Sequence, residues 1–166
     1  MVVSSDDCSD AAERFQALME TAEYRVRRAL VARYGIDVGD DAAAEAFAWA
    51  WEHLDELEPM SNPAGYLFRV GQSSARRLMR WRRQRRPLYE PPADSELRVR
   101  MDAELLSSLR RLSADQRAAV LLVHGYGFSY REVADTLGVS EAAITNHVHR
   151  GLKRLRRLLG DGDAND

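Results

Sequence analysis

The chain has 166 residues, 45% hydrophobic and 30% charged, which leaves room for one ordinary domain or two small helical modules. Its single cysteine, Cys8, excludes a disulfide framework or a thiolate metal cluster, and its purest apolar run, Ala118 to Val123, is too short to cross a bilayer, so a soluble cytoplasmic protein without membrane insertion is expected. The formal net charge of −2 hides a segregation: acids dominate from Asp6 to Glu58, whereas two later blocks, Arg69 to Arg86 and Arg150 to Arg157, are strongly basic and suit a polyanion.

Residues 1–11 carry no apolar period and are expected to be disordered. Phe15, Leu18, Met19, Ala22, Val26, Ala29 and Leu30 then keep helical spacing until Gly35, which describes an amphipathic helix. Phe47, Ala50, Trp51, Leu54 and Leu57 predict a second helix from about Asp40, ending before Pro59. Asn62 followed by Pro63 is an N-cap with proline at the first helical position, and Leu67, Val70, Ser74, Leu78 and Trp81 mark the inward stripe of a third helix. The opposite stripe, Arg69, Ser73, Arg76, Arg80 and Arg83, is cationic and cannot be neutralised by its helical neighbours. A solvated helix end is the plainer reading of Arg82 to Arg86, but a second, distant basic face argues against it. Residues 87–101, rich in proline and acid, read as a flexible linker between a first module, 12–86, and a second, 102–160, followed by an acidic tail, 161–166. The expected fold is therefore all-α, with two small helical domains.

In the second module Ser113 with Gln116 is a capping box opening the run Ala118 to Val123, and "HGYG" breaks that helix. Ser129 with Glu132 is a second capping box. Between Tyr130 and His149 the apolar positions are Val133, Leu137, Val139, Ile144 and Val148; Ala134 lets two helices approach, Gly138 accepts a left-handed turn, and Ser140 caps the next helix. Such spacing predicts a helix-turn-helix whose outer face carries Ser140, Glu141, Ala142, Thr145, Asn146 and His149, continued by Arg150, Lys153 and Arg154. Asn and Thr can read base edges in the major groove, while Arg and Lys suit phosphates and fix register. A plain helical hairpin with a basic tail is the alternative, and two capping signals plus the Ala and Gly placements count against it.

The stretch "LSADQRAAVLLVHGYGFSYREVADTLGVSEAAITNHVHRGLKRLR" closely resembles region 4 of the extracytoplasmic-function (ECF) sigma factors of bacterial RNA polymerase. Upstream, "DDAAAEAFAWAW" looks like the family's polymerase-docking helix, and "NPAGYLFRVGQSSARRLMRWRRQRR" resembles the region 2 helix that contacts and melts the minus-10 promoter element. The resemblance implies that region 4 binds the minus-35 element and the polymerase β flap, that region 2 binds the β′ clamp helices and opens DNA, and that an anti-sigma factor is a family expectation. It implies clamp docking through Asp41, Glu45 and Trp49, minus-10 contacts from Tyr66, Arg69, Ser73, Arg76, Arg77, Arg80 and Arg83, and minus-35 recognition by the face from Ser140 to Arg154. Phe47, Trp51 and Leu54, at helical spacing, read as core. Phe68 and Trp81 are further aromatic candidates for an unstacked base, with Trp81 on the apolar stripe. Two departures stand out: Ala42, Ala43 and Ala44 replace a Leu-Val-Gln-like core in the docking helix, and Ser73 stands where the family often has Asn.

His147 and His149 point to different faces of a helix, and neither a phosphate-cradling loop nor a nucleophile and base set is present in the sequence, so no catalytic residue, metal or cofactor is expected. The rival readings are a stand-alone helix-turn-helix regulator and a sigma-fold interaction adaptor without DNA-opening activity.

Overall fold

The computed structural model describes residues 5–84 and 103–160, all of whose regular elements are helical. The first module contains α1 (Ser5–Tyr34), α2 (Ile36–Glu52), a single turn α3 (Leu54–Leu57) and α4 (Pro63–Gln84). The second contains α5 (Ala103–Arg110), α6 (Ala114–Val120), which runs into a π-helical turn (Leu121–Gly125), then α7 (Tyr130–Leu137) and α8 (Glu141–Gly160). The expected linker, 87–101, and tail, 161–166, lie outside the described residues.

Helix α1 opens at Ser5, within the stretch 1–11 that carries no apolar period. Nothing between Ser5 and Phe15 breaks a helix, and an apolar period reports only the part of a helix that packs. Gly35, at φ 86°, is the only residue between α1 and α2, so α2 starts four residues before the expected Asp40. Gly39 lies inside α2 against the backbone of α1. A Cβ there would sit 2.5 Å from the Val31 Cα and 2.6 Å from the Val31 backbone nitrogen. Gly39→Ala must therefore push two helices apart and is expected to cost about 3 kcal/mol in urea unfolding. Gly125→Ala, whose new Cβ would meet only the Leu121 Cδ2 at 3.7 Å, should change stability by about 1 kcal/mol or less.

The predicted second helix is not continuous to Pro59. His53, at φ −130° and ψ 33°, ends α2, and its ring stacks on Trp49 at 4.2 Å with Nδ1 2.8 Å from the Trp49 carbonyl oxygen. The short α3 is held against α1 by Arg14, which donates to Asp55 at 2.7 Å and to Glu58 at 3.0 Å.

Ala42, Ala43, Phe47 and Ala50 of α2 share one buried cluster with the fully buried Leu30 of α1 and Leu67 and Phe68 of α4. Small alanines bring the three helices close enough for Phe68 to fill the centre. Three apolar positions are not core. Trp51 is 46% exposed and meets Phe15 edge-on at the rim; Trp81, near the end of α4, is 50% exposed; and Val139, in the turn after Gly138, is 44% exposed. Helical spacing marks a face, and these residues lie where that face runs out of cover.

In the second module Ile144, Val148 and Leu155 of α8 pack on α6 and α7, and Gly151 admits the Val120 side chain, whose Cγ2 would be 2.7 Å from an added Cβ. The two modules are not separate in space: α1 packs on α6 and α7, α4 packs on α7, and one core cluster runs from Val26 and Leu67 to Ala118 and Val133. No helix among the described residues is long and apolar enough to cross a membrane.

Candidate nucleic-acid interface

The helix-turn-helix is assembled by local codes. Ser129 Oγ accepts the Glu132 backbone N–H at 3.2 Å, and the Glu132 carboxylate accepts the Ser129 backbone N–H and hydroxyl, both at 2.8 Å. Those donors hold the Glu132 carboxyl below its usual value. Gly138 adopts the left-handed conformation at φ 68°, and Ser140 Oγ caps α8 by accepting the Ala143 backbone N–H at 3.2 Å. Thr136, fully buried, satisfies its hydroxyl by donating to the Glu132 carbonyl at 2.7 Å. Its polar side chain gave no sequence signal for burial.

With Ile144 and Val148 turned inward, Ser140, Glu141, Ala142, Thr145, Asn146, His149, Arg150, Lys153 and Arg154 are all exposed along one side of α8. Thr145 donates its hydroxyl to the Glu141 carbonyl at 2.9 Å, which fixes the rotamer it presents. The result is one exposed face with short polar groups at its N-terminal end and three cations beyond it.

The second basic surface lies on α4. Asn62 Oδ1 accepts the Gly65 backbone N–H at 2.9 Å and starts the helix as expected. Arg69, Ser73, Arg76 and Arg80 are exposed, and Ser73 donates its hydroxyl to the Arg69 carbonyl at 3.2 Å; the side chain of Arg83 lies outside the described residues. Arg77 is exposed but paired with Glu45, and Arg82 sits 3.6 Å from Asp37 and 3.5 Å from Asp41. The acids expected to dock a partner are thus tied to the flank of the basic helix, leaving Arg69, Arg76 and Arg80 as its outward row. Exposed pairs of this kind contribute about 0–1 kcal/mol each and are easily exchanged for a partner.

An aromatic chain joins the acidic face of α2 to the basic face of α4. Tyr66, half-buried, lies 5.3 Å from Trp49 and 5.7 Å from the Arg69 guanidinium, so the docking and minus-10 candidates adjoin. Phe68 is wholly buried and offers no base a surface. Of the alanines that depart from the family pattern, Ala42 and Ala43 face the core and only Ala44 is exposed.

Residues 102–155 match the family described as Sigma-70, region 4, which covers the helix-turn-helix. Along most of its length the chain is similar to the RNA polymerase sigma factor CnrH of Cupriavidus metallidurans, at 27% identity over 93% of this chain and 97% of that protein. It is also similar to the ECF RNA polymerase sigma factor SigL of Mycobacterium tuberculosis, at 28% identity over 91% and 94%. Among solved structures it resembles the sigma factor RpoE crystallised with the anti-sigma factor NepR from Bartonella quintana, with a TM-score of 0.59, 25% identity, and coverage of 88% of this chain and 96% of that one.

Proposed function

We propose that the chain is an ECF sigma factor of bacterial RNA polymerase, one that joins core polymerase and directs it to a two-part promoter. Residues 102–160, through the α8 face from Ser140 to Arg154, take the minus-35 element. Residues 12–86 carry two tasks: Asp41, Glu45 and Trp49 dock on the β′ clamp helices, while Tyr66, Arg69, Ser73, Arg76, Arg77, Arg80 and Arg83 hold and open the minus-10 element. The observation that carries this reading is the pairing of an exposed recognition helix with a second exposed arginine row on a separate module. A regulator that only binds duplex DNA has use for the first but not for the second.

The chemistry at each surface fits its task. Arg69, Arg76 and Arg80 supply sequence-independent phosphate attraction, and Tyr66 beside Trp49 supplies a flat face near which an unstacked base can rest. No bond is made or broken here; RNA synthesis belongs to the polymerase. A protein partner similar to the NepR found with the RpoE relative would control availability of the chain. Co-migration with core polymerase on a sizing column tests the reading. A chain that joins core supports it, whereas a chain that stays apart from core and binds duplex DNA tightly by itself is a helix-turn-helix regulator.

A further inference from the structure

Helix α8 presents a row of cations that no described residue neutralises. From Ala142 to Gly160 the helix contains no acid, and Arg150, Lys153, Arg154 and Arg157, spaced to share one side of it, are all exposed. None of the ion pairs among the described residues involves α8. The contrast with α4 is direct, because there Arg77 and Arg82 are engaged by Glu45, Asp37 and Asp41 of α2. Like charges at this spacing repel one another and attract any polyanion without regard to its sequence.

Immediately past this row the charge reverses. Residues 161–166, "DGDAND", hold three carboxylates, Asp161, Asp163 and Asp166, and no cation. The place is unfavourable for acids: α8 ends at Gly160, and its last carbonyls, which lack partners within the helix, give that end a partial negative charge. Cations must offset that repulsion, and those nearest along the chain are Arg157, Arg156, Arg154 and Lys153. Reach is not limiting. Six residues extend to about 20 Å, whereas the cations from Arg157 back to Arg150 lie about 5–15 Å from Gly160 along the helix axis. Gly160, with open space where a Cβ would stand, permits the chain to turn back there.

We propose that Asp161, Asp163 and Asp166 fold back on the α8 row and occupy the positions that DNA phosphates take, so that the segment is a built-in competitor for DNA. The proposal rests on the reading of α8 as a DNA-binding face. A short tether keeps such a competitor at an effective concentration of about millimolar, so that a few weak carboxylate contacts suffice to fill the row. The consequence falls on the free chain, whose sequence-independent hold on a duplex rests on few cations. Holoenzyme adds the minus-10 contacts and displaces the segment.

The test is a double-mutant cycle in the full chain. One arm neutralises the acids with Asp161→Asn, Asp163→Asn and Asp166→Asn, the other shortens the row with Arg154→Ala and Arg157→Ala, and a fourth chain combines them. Binding to a duplex of random sequence is measured at several salt concentrations. Neutralising the acids is expected to raise affinity at least about threefold at about 50 mM salt, with the gain fading towards about 300 mM as the carboxylate contacts are screened. In the Arg154→Ala, Arg157→Ala background the same neutralisation should gain less than about twofold. Without DNA, the Nε–H resonances of Arg154 and Arg157 should move when the acids are neutralised, while that of the exposed Arg131 on α7 stays in place. No gain in affinity, an equal gain in both backgrounds, or unmoved Arg154 and Arg157 resonances overturns the proposal; an equal gain would mean that the acids act through net charge alone. If none of the four chains binds duplex DNA at any salt, the reading of α8 as a DNA-binding face fails, and the resonances by themselves decide whether the segment docks on the row.

Discussion

An Asp41→Arg, Glu45→Arg double variant is expected to elute apart from core RNA polymerase, with at least a hundredfold loss of affinity. Both carboxylates lie on α2, Asp41 exposed and Glu45 half-buried, so reversing them changes a surface and not the core. Their present partners are Arg82, 3.5 Å from Asp41, and Arg77, paired with Glu45. Losing such exposed pairs costs the fold about 1 kcal/mol or less each. Placing two cations against a basic partner surface costs several kcal/mol, and about 2.7 kcal/mol already corresponds to a hundredfold. Arg82→Ala, which removes the Asp37 and Asp41 pairs but leaves both acids in place, should bind core like the unaltered chain. Equal loss in both variants would mean that the pairs, and not the docking face, matter.

Two pairs of substitutions on α8 are expected to separate reading from holding. Thr145→Ala with Asn146→Ala removes the groups suited to base edges, each worth about 1–3 kcal/mol of discrimination, so holoenzyme should lose preference among minus-35 sequences while still binding DNA. Arg150→Ala with Lys153→Ala should weaken all sequences alike and lower the salt slope of binding by about two. Competition between a matched and a scrambled minus-35 duplex, measured at several salt concentrations, distinguishes the two. Should the alanine pair at 145 and 146 leave sequence preference intact, base reading resides elsewhere on the helix.

What could be read from residues alone depended on range. The helix-turn-helix is encoded within a few residues at each step: Ser129 with Glu132, the left-handed Gly138, and Ser140 capping α8. Asn62 and Pro63 likewise mark the start of α4 from two adjacent positions. The break at His53 has no such code, because it accompanies a stack on Trp49 that forms only in the folded chain. The start of α2 at Ile36, and not near Asp40, has a related cause: Gly39 admits a neighbouring helix, a role its sequence context does not display. Trp51 and Trp81 kept the spacing of a core face, yet spacing does not say where the opposing helix stops. The candidate surfaces were visible as charge, but their internal accounting was not: that Arg77 and Arg82 are engaged by acids of α2 follows from packing between residues more than 30 apart. The contact between the two modules was the least visible of all, since Arg25 and Glu132 meet across 107 positions.

Transcription of genomic DNA by purified core polymerase, with and without the chain, tests the central claim most directly. The account predicts new transcript start sites that appear only with the chain and share two upstream sequence blocks, one near minus-35 and one near minus-10. No new start sites, with core and chain both shown to be active for binding, would contradict it and leave a sigma-like fold that does not open promoters.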